Sequence, residues 1–198
     1  MAGKPTTPAP REFIAALSSL RTERPRPEIT LTESAGPARV APFSAALLAD
    51  VRDTWAQTDD LDLASGRLVI LHDPDGQTAW NGVFRLIALT RALVDPEMST
   101  DPLAAEVTWS WLTDSLVEAG ASFHSLSGTV TTVSSQSFGH LSGREPEQEI
   151  ELRASWTPNT EDLAPHLQGW LDFSSIIAGL NPLEPGVTAL PLNRKKEL

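Results

Sequence analysis

Between Asp101 and Gly120 the chain reads DPLAAEVTWSWLTDSLVEAG, and Ala105, Trp109, Leu112, Leu116 and Ala119 recur at helical spacing. That stripe predicts an amphipathic helix. Asp101 suits an N-cap, Pro102 the first helical position and Gly120 a left-handed C-terminal stop. Trp111 lies off the stripe, because residues two apart point about 200° apart around a helix. Leu103 and Val107 share its side with Asp114 and Glu118. The helix is therefore expected to be touched on two faces: a second element laps over its back, or Trp111 stands free as an anchor for a partner.

Period two dominates elsewhere. Ile150, Leu152, Ala154 and Trp156 alternate with Glu149, Glu151, Arg153 and Ser155, the pattern of a strand with one packed face. Ser122 to Gly139 is rich in Ser, Thr and Val and reads as one long strand or two shorter ones. Arg67–His72 reads as a strand, and His72-Asp-Pro-Asp-Gly76 as a turn. Trp80–Val94 is apolar on both faces and suits a central strand; the spacing of Leu86, Leu89 and Leu93 also suits a helix. The preceding turn asks for a hairpin partner, which favours the strand.

Helices are expected near the N-terminus as well. Phe13, Ile14, Leu17 and Leu20 define a short one, and Phe43, Leu47, Val51 and Trp55, spaced by fours, place another from Pro42 to Trp55. A short strand is expected at Ile29–Thr32 and a last helix carries Leu163, Leu167, Trp170 and Ile177. The sum is an α+β fold: an antiparallel sheet built from two hairpins, each followed by a helix (ββα-ββα), with additional N-terminal helices. Residues 1–10 read as a disordered tail, 11–40 as a helix plus proline-rich linker, 41–190 as a single domain and 191–198 as a C-terminal tail.

Charge narrows the functions. Residues 41–190 hold six arginines, no lysine and twenty-one acids, and the whole chain carries −11. Such a body gains nothing from counterion release, so direct nucleic-acid binding by it is not expected. With no cysteine, disulfides, thiolate metal sites and thiol catalysis are excluded. No apolar run reaches the length of a membrane span and the N-terminus lacks a signal-like core, so no membrane association and a cytoplasmic location are expected.

Four blocks, GRLVILHDPDGQTAW (66–80), DPLAAEVTWSWL (101–112), GTVTTVSSQSFG (128–139) and ELRASWTP (151–158), resemble the signature segments of a family from high-GC Gram-positive bacteria, the domain of unknown function 3000. The resemblance implies no activity, cofactor or catalytic residue. Members of that family are often encoded near a ribonuclease-D-like protein, which implies an RNA-processing context.

No catalytic motif stands out. The four histidines are scattered, Asp73-x-Asp75-Gly76 lacks the spacing of a calcium loop, and Gly139-His-Leu-Ser142-Gly143 lacks that of a nucleophile elbow. No cofactor and no metal are expected. Charges among apolar neighbours remain: Arg85, Arg91 and Arg153 as candidate ligands for a small anion, and Trp111 with Glu106 as candidate partner contacts. The reading favoured is a non-enzymatic protein-interaction or accessory factor. The alternatives are a binding domain or enzyme for a small anionic ligand, and an accessory to RNA processing that acts through a protein partner.

Overall fold

The structure, a computed structural model, describes residues 8–52 and 62–180. Its elements run α1 (Arg11–Leu20), β1 (Ile29–Ala35), β2 (Phe43–Arg52), β3 (Asp62–Gln77), β4 (Gly82–Leu93), α2 (Pro96–Thr100), α3 (Ala104–Glu118), β5 (Phe123–Ser135), a short 3₁₀ turn, β6 (Glu147–Pro158) and α4 (Ala164–Ile177). The six strands form one open sheet in the order β1-β2-β3-β4-β6-β5, every neighbouring pair antiparallel. The fold is α+β, as expected from the pattern. The first seven residues, the end of the helix expected from Pro42 to Trp55 and the C-terminal tail lie outside the described residues.

Side chains cross the sheet in rows. Ile29, Val51, Ala64, Ala92, Ile150 and Thr132 form one row, and Leu31, Ala49, Gly66, Thr90, Leu152 and Val130 the next. This face is apolar because successive strand residues alternate sides, and the helices lie on it. Trp170 of α4 sits over Gly66, where an added Cβ would come within 2.8 Å of the indole. Trp109 of α3 sits over Gly128 in the same way, at 2.7 Å. Glycine at these two sheet positions lets each indole reach the backbone plane. Trp170 also donates its N–H to Thr90 Oγ1 at 3.0 Å, and Trp156 donates to His166 Nδ1 at 3.0 Å. Helix α1 docks on the same core through Phe13, Ala16 and Leu20, and Ser19 Oγ accepts from the Leu163 N–H at 2.9 Å.

Three expectations are corrected. The helix expected from Pro42 is strand β2. Its apolar residues were spaced by fours, and four is also an even number: Phe43, Leu47 and Val51 lie on one face of a strand as readily as on one side of a helix. With β2 and the strand expected at Ile29–Thr32 added to the pairs β3–β4 and β5–β6, the sheet has six strands. The turn expected at His72–Gly76 is an irregularity within β3, where Asp73 accepts from the Asp75 N–H and from Gln77 Nε2. The chain reverses only afterwards, at Thr78–Asn81, with Asn81 at φ 54°. Finally, the buried side of α3 is rotated from the expected stripe: Ala104, Thr108, Leu112, Ser115 and Leu116 are buried, while Ala105 is exposed. Small polar residues suit that side because α4 approaches closely there, Gly169 lying against Ser115 and Leu116, and Thr108 returns its hydroxyl to the Ala104 carbonyl.

Two buried histidines link the fold to pH. Burial pushes the His166 pKa down to about 4, and the Trp156 N–H aimed at Nδ1 requires that nitrogen unprotonated. His72 packs against Phe13, Phe43 and Phe84, with ring centroids 5.7, 6.1 and 4.3 Å away. Neither of its nitrogens has a partner in good hydrogen-bonding geometry. Burial lowers its pKa too, against a weaker opposing influence of the Val83 backbone. Both groups charge more readily in the unfolded chain, so their contribution is complete above about pH 6.5 and is lost as pH falls toward the folded values. For His166 the loss amounts to at most about 3 kcal/mol. Thermal melting followed between pH 7 and 4.5 should show a falling midpoint. His166→Gln, which keeps an acceptor and cannot titrate, should melt lower at pH 7 and show a shallower fall; an unchanged slope would remove His166 from the account.

Candidate functional site

The sheet face opposite the helices carries polar rows. Thr30, Asp50, Ser65, Arg91, Glu151 and Thr131 form one, and Thr32, Leu48, Arg67, Leu89, Arg153 and Thr129 the next. No described helix covers this face; the Thr78–Asn81 reversal folds onto it, setting Trp80 against Ala46, Val69 and Leu71, and Ala41 from the β1–β2 connection packs there as well. All three arginines singled out in the sequence stand here, because Arg85 and Arg91 share the parity of β4 and Arg153 pairs opposite Leu89.

They do not form one cluster. Arg91 and Arg85 are six residues apart on one strand, about 20 Å. Arg91 and Arg153 meet instead at Glu151, each donating Nε–H to a different carboxylate oxygen at 2.6 Å. The hydrogen bond from Arg153, reinforced by Arg91, holds the buried Glu151 carboxyl below its ordinary pKa. Both arginines remain open to solvent beyond Nε, at 49% and 64% exposure of their side chains, so their remaining N–H donors are available to an anion.

Arg85 is placed differently. It is buried, and no carboxylate lies within ion-pair distance among the described residues. Nη1 donates to the Ser125 carbonyl at 2.9 Å and Thr157 Oγ1 at 3.1 Å, and Nη2 to Ser155 Oγ at 2.7 Å. Burial lowers its pKa from the ordinary arginine value. The guanidinium thus reaches from β4 across β6 to the backbone of β5. It arrives where the β5–β6 register shifts between His124 and Ser127 and where Ser125 takes φ 52°. His124 braces the same bend through Asn159 Oδ1 at 2.6 Å and the Asn81 carbonyl at 3.0 Å.

On the helical side, the margin between α3 and β5 forms a shallow cavity of about 390 Å³ lined by Ala105, Glu106, Trp109, Ser110, Gly128 and Val130. Glu106 is brought to this cavity. Trp111 is not; it is half-buried against the main core. The sequence reading placed Trp109 on the packed stripe and so overlooked it as a surface group. Its signal was Gly128, a glycine inside a Thr- and Val-rich strand, which marks a close approach. A second cavity, also about 390 Å³, lies between α1 and β1–β2, with Leu17, Leu31, Leu47 and Ile70 within it and Arg21 and Glu33 among its lining. Glu106 and Ser110 share the first cavity, but Ser110 Oγ donates to the Glu106 backbone carbonyl rather than to its carboxylate. Among the described residues no three acidic, histidine or cysteine side chains converge as metal ligands, and no helix is long and apolar enough to cross a membrane.

Compared with known proteins, residues 9–188 match the family model described as a protein of unknown function, DUF3000. No curated protein and no solved structure matches the chain.

Arg85→Ala should leave the Ser125 carbonyl and the Thr157 and Ser155 hydroxyls without their donor, at about 1–3 kcal/mol. Hydrogen exchange should then quicken at residues 123–127 while β1–β3 keep their protection. Uniform acceleration across the sheet would mean that Arg85 supports the fold as a whole rather than the bend in β5.

Proposed function

Since the chain belongs to the DUF3000 family, whose description assigns no activity, we propose its function from its own surface: a non-enzymatic interaction or accessory factor that docks a protein partner at the α3–β5 margin. One observation carries this reading. A half-buried tryptophan, Trp109, lines an open cavity beside the outer edge of β5, which among the described residues pairs only with β6, and Glu106 stands next to it. Tryptophan supplies a large share of binding energy where it is desolvated by a partner, and an apolar cavity rimmed by a carboxylate gives that partner both contact area and orientation.

A second reading is supported by Arg91 and Arg153. Their solvent-facing donors flank Glu151 on the helix-free face, an arrangement suited to a small anion, since guanidinium groups bind oxyanions in fixed geometry.

Affinity purification of the full chain from its own host, followed by native mass spectrometry, separates the two. In the first reading a stoichiometric protein partner accompanies the wild type. Trp109→Ala then weakens the complex about tenfold or more, whereas Trp111→Ala acts only through stability. In the second a bound anionic small molecule is found, and Arg91→Ala or Arg153→Ala releases it. A Trp109→Ala variant that melts normally and holds the partner undiminished would sink the first reading.

A further inference from the structure

We propose that docking at this margin proceeds by strand addition: an extended partner segment of alternating apolar and basic residues pairs with the outer edge of β5. The proposal rests on the α3–β5 margin being the docking surface and goes on to specify the mode and the chemistry of the partner.

Strand β5 is thirteen residues long and, among the described residues, pairs with β6 alone. Its outward N–H and C=O groups form a template for another strand. Edge strands are ordinarily blunted by charges, prolines, shortness or bulges. From Phe123 to Ser135 the sequence FHSLSGTVTTVSS contains no lysine, arginine, acid or proline. The other edge of the same sheet is defended: β1 has only seven residues, carries Glu33 and is bracketed by Pro27 and Pro37. The one irregularity of β5 lies at its start, between His124 and Ser127, and the register then continues unbroken from Ser127 to Ser135. That stretch offers about 30 Å of regular backbone. Arg85 fixes the bend just before it, so the edge beyond is presented straight.

Side-chain chemistry gives the two faces of an added strand. On the helical side, residues next to Gly128 and Val130 would enter the Trp109 cavity, which suits apolar side chains. On the other side, Glu151, Glu149 and Glu147 stand directly opposite Thr131, Val133 and Ser135. Arg91 and Arg153 both pair with Glu151, whereas Glu149 and Glu147 have no ion-pair partner among the described residues. Basic residues at alternate positions of the added strand complement that row. A second copy of this chain fits less well, since it would bring a matching row of acids and a further net charge of −11.

The test uses the full chain with two probes: nine-residue capped peptides of alternating valine and lysine, or of alternating valine and glutamate. The valine–lysine peptide should bind, slow exchange at alternate amides between Ser127 and Ser135, and perturb Trp109. The valine–glutamate peptide should do none of these. Proline is then placed at Thr131 and at Thr132, one at a time. One of the two amides faces β6 and its proline variant will melt lower. The other faces outward, and its variant should melt as wild type yet lose the peptide about tenfold or more. Binding that survives the outward proline, binding without amide protection, or a β5-mediated dimer of the protein itself would each overturn strand addition. Should the host partner stay bound to the outward-proline variant and be lost with Trp109→Ala, the docking surface stands and the strand mode alone fails.

Discussion

The seating of α4 on the sheet is the constraint from which the rest of this fold follows. Trp170 can approach the middle of the sheet this closely only because position 66 has no side chain, and its indole N–H is satisfied by Thr90 on the neighbouring strand. One strand further on, Trp156 reaches up from β6 to His166 at the start of α4. Two buried N–H donors in an apolar layer would each be costly without acceptors. Together they fix where α4 sits, and α4 in turn fixes α3, because the helices meet at Gly169 with no room for a larger residue. The α3 position then brings Trp109 over Gly128.

Packing every helix on one face has a consequence for the other. The helical face takes the apolar rows, and the helix-free face collects Arg67, Arg85, Arg91 and Arg153 from a body that is otherwise strongly acidic. Arg85 is the least ordinary of them, a buried guanidinium held by hydroxyls and a carbonyl rather than by a carboxylate. Its bonds span three strands and end on the bend of β5. A charge that looked like a ligand-binding group along the chain is, in space, a brace for the sheet margin. Glu106, singled out along the chain as a candidate partner contact, lines a cavity on that same margin.

Much of the architecture was legible in the residues. The alternation from Ile150 to Trp156 named its buried face correctly, with all four residues nearly inaccessible. Asp101 accepts from the Leu103 N–H at 2.8 Å in the turn just before α3, whose N-cap is Leu103 rather than Asp101, and Gly120 follows the end of α3 at φ 77°. Where the reading of β2 failed, the failure has a definite cause. A spacing of four satisfies both a 3.6-residue helix and a two-residue strand, and alanines at positions 45, 46 and 49 favour helix by propensity. Tertiary pairing on both sides, with β1 and β3, overrode that preference. The sequence strongly suggested a turn at Asp73–Gly76, yet those local hydrogen bonds bend a strand without reversing it.

What the sequence by itself determined, then, is what depends on near neighbours along the chain: the α+β class, the amphipathic strands, the α3 helix and the family to which the chain belongs. The tertiary structure alone decided which strands are edges, which sheet face is left bare, and which charges meet. Those properties arise from strand order. The segment between β4 and β5 crosses over β6 and leaves β5 at the margin, so residues from positions 85, 125, 155 and 157 converge although no spacing along the chain connects them. Edge exposure is the absence of a neighbour in space, and a one-dimensional pattern of apolar and polar residues records burial without recording who stands alongside.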